Sequence, residues 1–323
     1  MGGSVARKHH WIPQVYLKGF TKDRNKASQL YVVDCVARRS FNTLPANIGA
    51  QRDFNRVEVE DHDPNEVESG YSALETQLSG ALDRLESSKS FSDTDDRILI
   101  FNLIALLAVR NPRMRESMRR SHEHQDKIIS SMLVSSKELW EGTIRRAVAD
   151  GYVKPDHGVS YEAFCDFIER DEYDVVVPTT AHVGQELKLL DGIIPYLAQR
   201  QWMLWVAPPE SGGFLTCDHP VVLKWDGSVE RKPPLPPGFA MQKSEVVFTL
   251  SRTLALSGVF GGPEGAFWAN EGIMESINGM IIDNADRQVY ATDDTFEYLL
   301  SSEQGTRTGN QLLHDWLKDL RMD

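Results

Sequence analysis

Cysteine is scarce: 323 residues hold only Cys35, Cys165 and Cys217. The number is odd, the spacing is wide and no CxxC pair occurs, which argues against a disulfide framework and against a cysteine-built zinc site. It fits a reducing compartment. Long apolar runs are also missing. The longest, Ile98 to Val109, contains Asn102 and stops at Arg110, short of the roughly 20 residues that cross a bilayer. No apolar stretch of the secretory kind opens the chain, so the expected location is the cytoplasm. Positive charge is in deficit, with 35 Lys and Arg against 47 Asp and Glu and a net charge of −12. A phosphate backbone is gripped by clustered cations, so a global nucleic-acid surface is not expected, although a local basic patch stays open. There is no P-loop, no GxGxxG behind a strand, no HExxH and no GxSxG. Gly261-Gly262-Pro263-Glu264-Gly265 fits none of these. Nucleotide-driven motor, Rossmann dehydrogenase and standard hydrolase readings therefore lose ground.

What remains is an ordinary globular composition, 41% hydrophobic and 25% charged, long enough for a sizeable core. Tyr71, Leu74, Leu78, Ala81, Leu82 and Leu85 recur at threes and fours and predict an amphipathic helix. Ser92-Asp93-Thr94-Asp95 offers an N-cap for a buried helix ended by Pro112. Further helices are predicted over Gln125–Asp150, Tyr161–Arg170 and 179–200, the last interrupted or bent by Pro195. β-branched and aromatic runs then predict strands at 202–206, 214–216, 221–223, 246–248 and 254–256, a helix near 267–286, a strand at Gln288–Ala291 and a last helix carrying Leu312, Leu313, Trp316 and Leu320. The expected fold is α+β: a helical middle region packed on a mostly antiparallel sheet formed by N-terminal and C-terminal strands. The expected organisation is a single domain, mainly helical over 66–200 and mainly strand over 201–292.

Five motifs carry polar chemistry. In His9-His10-Trp11-Ile12-Pro13, the extended backbone before proline sends the two imidazoles to opposite sides, so only one can enter a given site. That one is a metal ligand, a general base, or a packed anchor for the N-terminal arm. Phe214-Leu215-Thr216-Cys217-Asp218-His219-Pro220 ends a short strand in an Asp-His pair. Asp218 suits a metal ligand or a partner that orients a histidine, His219 a ligand or base, and Cys217 a nucleophile beside it. The other reading is an Asx-type cap, with Asp218 on backbone amides. Arg110, Arg113, Arg115, Arg119 and Arg120 face only Glu116 between 110 and 120. They read as a phosphate or nucleic-acid contact, or as a solvated helix face with Arg110 paired to an internal acid such as Glu75. Glu68 and Glu75, seven residues apart on one helix, share nearly one face. Beside an apolar stripe, such a carboxylate is either arginine-paired or a site residue with a raised pKa. Arg231-Lys232-Pro233-Pro234-Leu235-Pro236-Pro237 matches a polyproline ligand and equally a stiff loop.

The segment His10-Trp11-Ile12-Pro13-Gln14-Val15-Tyr16-Leu17-Lys18-Gly19-Phe20, then Arg110-Asn111-Pro112, Phe214 to Pro220, Phe248-Thr249-Leu250-Ser251, Ile277-Asn278 and Ala285 to Ala291 together resemble a mostly bacterial family, domain of unknown function four-two-three-eight. The likeness spans nearly the whole chain and implies little about activity. The chain departs from it at Cys217, where serine is usual, and at His219, where asparagine is usual.

These residues lead to the expectation of a metal-dependent phosphodiester hydrolase or nuclease, with bacterial defence as one candidate setting. His10, Glu75 and Asp218 would hold a divalent Mg or Mn ion, and Arg110 would hold the phosphate. A nucleic acid or phosphorylated small molecule would contact Arg110, Arg113 and Arg115. The rival expectation is a non-catalytic binding or regulatory protein in which the same residues form a buried structural network.

Overall fold

The computed structural model describes residues 7–171, 173–230, 233, 235–300 and 305–319. Arg231, Lys232 and Pro234 of the proline-rich motif and Leu320 of the last helix lie outside the described residues. The chain opens with β1 (Lys8–His10) and, behind Pro13, the short helix α1 (Gln14–Leu17). Strands β2 (Leu30–Asp34), β3 (Arg39–Thr43) and β4 (Ala50–Arg52) follow. The helical middle comprises α2 (Glu66–Ser88), α3 (Thr94–Val109), α4 (Pro112–Val134), α5 (Lys137–Ala149), α6 (Tyr161–Arg170) and α7 (Thr179–Ala198). Then come β5 (Gln201–Val206), β6 (Thr216–Cys217), β7 (Val222–Trp225), β8 (Ser244–Ser251), β9 (Leu254–Val259) and β10 (Gly265–Trp268). The chain closes with α8 (Glu271–Asp283), β11 (Gln288–Ala291), β12 (Glu297–Tyr298), β13 (Arg307–Thr308) and α9 (Gly309–Asp319).

Local chemistry sets the helix ends. Asp93 caps α3 by accepting from the Asp96 amide, and α3 stops at Val109 because Pro112 begins the next helix at a position that needs no N–H donor. The helical stretch predicted over Gln125–Asp150 divides at Ser136, whose side chain caps α5 by accepting from Leu139 N. Pro195 does not end α7, which runs on to Ala198.

The fold is α+β, as its composition of elements predicted. One sheet has the order β10-β5-β9-β8-β7 and is antiparallel except for the β10–β5 pair. A second, β3-β2-β11-β6, is antiparallel and joins N-terminal to C-terminal strands. Strand alternation divides the core. Trp202, Leu204 and Val206 of β5 enter one cluster with α1, α2 and α3. Ala255 of β9 and Val247 of β8 face a second cluster with Met274, Ile277 and Ile281 of α8.

Tyr16 joins α1 to both sheets. Its hydroxyl donates to Thr249 O on β8 at 2.8 Å and lies 2.6 Å from Thr216 Oγ1 on β6, so the Thr216 hydroxyl is the donor in that second bond. The ring stacks on Phe248 at 5.3 Å. Burial pushes the phenol far above its usual range, so it stays a neutral donor. Asn278 does the same work for α8: its amide accepts from Leu215 N and donates to Gly213 O and Glu297 O.

The chain divides into two compact units, Met1–Asn111 with Val183–Asp323, and Pro112–His182. In the second, Trp140 of α5 packs against Tyr161 and Phe164 of α6, and Ser160 caps α6.

Two glycines predict opposite responses. A Cβ on Gly279 of α8 would stand 1.9 Å from Leu299 O, a backbone atom that cannot yield. Gly279→Ala should therefore destabilise by about 3 kcal/mol or more. A Cβ on Gly142 of α5 meets nothing within 4 Å, so Gly142→Ala should stabilise that helix by about 1 kcal/mol. Chemical denaturation of both variants checks the pair, and a harmless Gly279→Ala would contradict the α8 packing.

Candidate functional site

The site is assembled from the arm, from α2 and from the end of α3. In β1 the two histidines do point apart. His9 is buried and its Nδ1 accepts from the Asn55 amide at 2.9 Å, so it is the packed anchor. His10 is half-buried, with Nε2 3.3 Å from Ala46 O. With the proton on Nε2, its Nδ1 is an acceptor. Burial pulls the His10 pKa below its ordinary value, and the nearby charges of Lys8 and Arg110 add to this.

Arg110 follows the last residue of α3 and is 1% exposed. Its guanidinium lies over the Tyr71 ring at 4.0 Å, and Nη2 donates to Trp11 O at 3.3 Å. Among the described residues Nε and Nη1 have no hydrogen-bond partner, and neither do Trp11 Nε1 and Asn55 Oδ1. Burial draws the Arg110 pKa down, against the pull of Tyr71, Glu68, Glu186 and Glu75. A buried guanidinium is normally paired and fully bonded. This one has carboxylates within electrostatic reach, yet no ion pair joins it to Glu75 among the described residues.

Glu75 is half-buried on α2. Burial raises its pKa, opposed by the charges of Lys26 and Arg110 and reinforced by Glu68. Glu68, one face along, accepts from Asn55 Nδ2 at 2.7 Å. The arrangement thus offers orphaned N–H donors, a carboxyl group biased toward its protonated form and an imidazole biased toward its neutral form. Those are the elements of anion binding and proton transfer.

Asp218 does not join them. It stands at the end of β6, where Oδ1 accepts from Asp286 N and Oδ2 from Arg287 N and Gln288 N at 2.8–3.0 Å. Its titratable surroundings are Asp286, Asp34, Arg287 and the neutral thiol of Cys35, not His10, Glu75 or Arg110. The Asx-type cap expected of it is real in kind, but the amides come from the turn before β11. His219 is held by Asn284, whose Nδ2 donates to His219 O at 2.6 Å and lies 3.0 Å from Nδ1. Cys217 is buried, which removes it from nucleophilic work. So the three residues expected to surround one ion fall into two places, with His10 and Glu75 near Arg110 and Asp218 elsewhere. Among the described residues no group of three His, Cys, Asp or Glu stands in a metal-holding cluster. The basic run divides as well: Arg110 is inside the first unit, Arg113 and Arg115 belong to α4 of the second, and Arg119 and Arg120 bond Glu116.

Sequence reasoning placed Tyr71 in the apolar stripe of α2 but did not find it or Glu186 as a neighbour of Arg110. The approach is made by separate elements, which no local spacing marks.

Burial pushes Asp218 up to about 6 against the three N–H donors that favour the carboxylate. A folded value above the ordinary 3.8 means that its proton-linked stabilisation is complete below the unfolded pKa and is lost as pH rises through about 6. Asp218→Ala strands three amides and should destabilise by about 3 kcal/mol. Urea unfolding should show the larger loss near pH 5 and the smaller near pH 8. A pH-independent loss would rule out the raised value.

No curated protein and no solved structure matches the chain. The family described as protein of unknown function (DUF4238) matches residues 8–295, from the strand that carries His9 and His10 to just beyond β11. The chain belongs to the DUF4238 family.

Proposed function

We propose that the chain is a hydrolase of a phosphodiester whose site lies at Arg110, His10 and Glu75, with Asp218 outside it. The observation that carries this reading is the buried Arg110 guanidinium with Nε and Nη1 unbonded. A phosphate oxygen is an acceptor of matching charge for either group. His10 Nδ1 takes a proton from the attacking water as its oxygen bonds to phosphorus. Glu75 gives a proton to the leaving oxygen as that P–O bond breaks. A Mg or Mn ion gathered by His10, Glu75 and Asp218 is not part of this version, because Asp218 is committed to backbone amides elsewhere. The substrate is a nucleic-acid strand or a smaller phosphodiester.

The two pKa shifts give the pH dependence a sign. Glu75 must be protonated, and its limb lies above its ordinary 4.5. His10 must be neutral, and its limb lies below its ordinary 6.5. The profile is therefore a bell, with its acid limb set by His10 and its alkaline limb by Glu75. Release of p-nitrophenol from bis(p-nitrophenyl) phosphate, and cleavage of labelled RNA and DNA strands, should survive EDTA. Glu75→Gln should lower kcat by about 10²–10⁴ with its melting temperature retained, and His10→Asn should remove the acid limb. Absence of cleavage at any pH, or full activity in both variants, sinks the proposal. Abolition by EDTA overturns its metal-free form.

The Arg110 contact with Trp11 O supports a second reading, a non-catalytic binding or regulatory protein whose network pins the N-terminal arm. Arg110→Met separates the two. A buried charge without an ion-pair partner is costly, so an apolar side chain of similar length in its place should be tolerated. A folded Arg110→Met protein with no altered phosphodiester binding or cleavage would favour the structural reading.

A further inference from the structure

Met203 and Trp205 alternate with Trp202 and Leu204 along β5, so they face the opposite side of the five-stranded sheet from the aromatic core. Neither is buried. Between this sheet face and α8 lies a cleft of about 380 Å³, within the size range of small-molecule sites. Cross-strand register builds its floor: Met203 and Val247 both stand opposite Ser257. Trp205 Nε1 donates to Ser257 Oγ at 2.9 Å, which fixes the indole and leaves the serine hydroxyl proton for another acceptor. Ile273, Ser276 and Met280 of α8 supply the wall at helical spacing. At one end, Lys224 and Glu245 are cross-strand partners with Nζ and Oε2 2.5 Å apart.

We infer that this cleft binds a planar heteroaromatic molecule carrying a lactam-type edge, of the kind found in oxo-substituted nucleobases. A slot between a pleated sheet and a helix selects a flat shape. The indole face and the thioethers of Met203 and Met280 suit a π system. The Lys224–Glu245 pair sets one donor beside one acceptor, and a lactam edge sets one acceptor beside one donor. The pair is neutral as a whole, so it selects an uncharged edge rather than an anion. The larger depression, about 640 Å³ beside α2 and α3, lacks this character. It is lined by Asp83, Asp96 and serines, and its cation Arg84 is spent on Asp96. The cleft inference does not depend on Arg110.

Isothermal titration of the full chain with guanosine, uridine and adenosine tests it. Guanosine and uridine carry the lactam edge and adenosine lacks it. Saturable binding of guanosine or uridine with Kd near or below about 1 mM is expected, with adenosine at least about tenfold weaker. Ser276 is exposed on α8, so Ser276→Trp should fill the mouth and abolish binding without unfolding the protein. The double variant Lys224→Met, Glu245→Leu removes both charges together and should erase the preference over adenosine while a weaker stacking interaction persists. No saturable heat from any of the three nucleosides, equal binding of adenosine by the wild type, or undiminished binding in Ser276→Trp would each overturn the inference.

Discussion

The architecture depends on one phenol hydroxyl. Tyr16 reaches β6 in one sheet and β8 in the other, and it satisfies itself with one accepted and one donated hydrogen bond. A buried hydroxyl without partners would be costly, so the arm can dock in only one register. That register brings Trp11 O to Arg110 and His9 to the Asn55 amide. The geometry around Arg110 is therefore a consequence of where Tyr16 is held.

Among the described residues two arginines are buried, and they are treated differently. Arg200 sends Nη1 and Nη2 to Ser244 O, Gly258 O, Phe239 O and Ser244 Oγ, and stacks on Phe260 at 4.3 Å. It is a rivet between a helix end and the strands beside it, with only Nε unbonded. Arg110 makes one long bond and leaves two groups unbonded. Structural duty accounts for the first arrangement. The second keeps donors in reserve, which is what a site for an anionic group requires.

Much of this was legible in the sequence because it is local. Continuous apolarity marked α3 as buried, Pro112 marked its end, and strand alternation separated His9 from His10. Helical spacing put Glu68 and Glu75 on nearly one face of α2. The approach of His10 and Arg110 to that face was not legible as spacing, because separate elements bring them there. The partners of Asp218 were not legible either, because its amide partners lie 68–70 residues further on, and no spacing rule reports a contact at that range. Strand β10 escaped for a similar reason. All four of its residues are exposed and its partner β5 runs parallel, so neither alternation nor a hairpin turn announces it. Asn278 stood in a recognisable segment, but its bonds to three separate backbone stretches follow from packing alone.

The bonds of Tyr16 span 200 and 233 residues. On a ribosome adding 5–20 residues per second, Tyr16 is made roughly 10–40 s before Thr216. During that interval Ile12, Tyr16, Leu17 and Phe20, all fully buried in the finished protein, have no sheet to enter. The nascent chain thus carries an exposed apolar handle until β6 and β8 can take the arm.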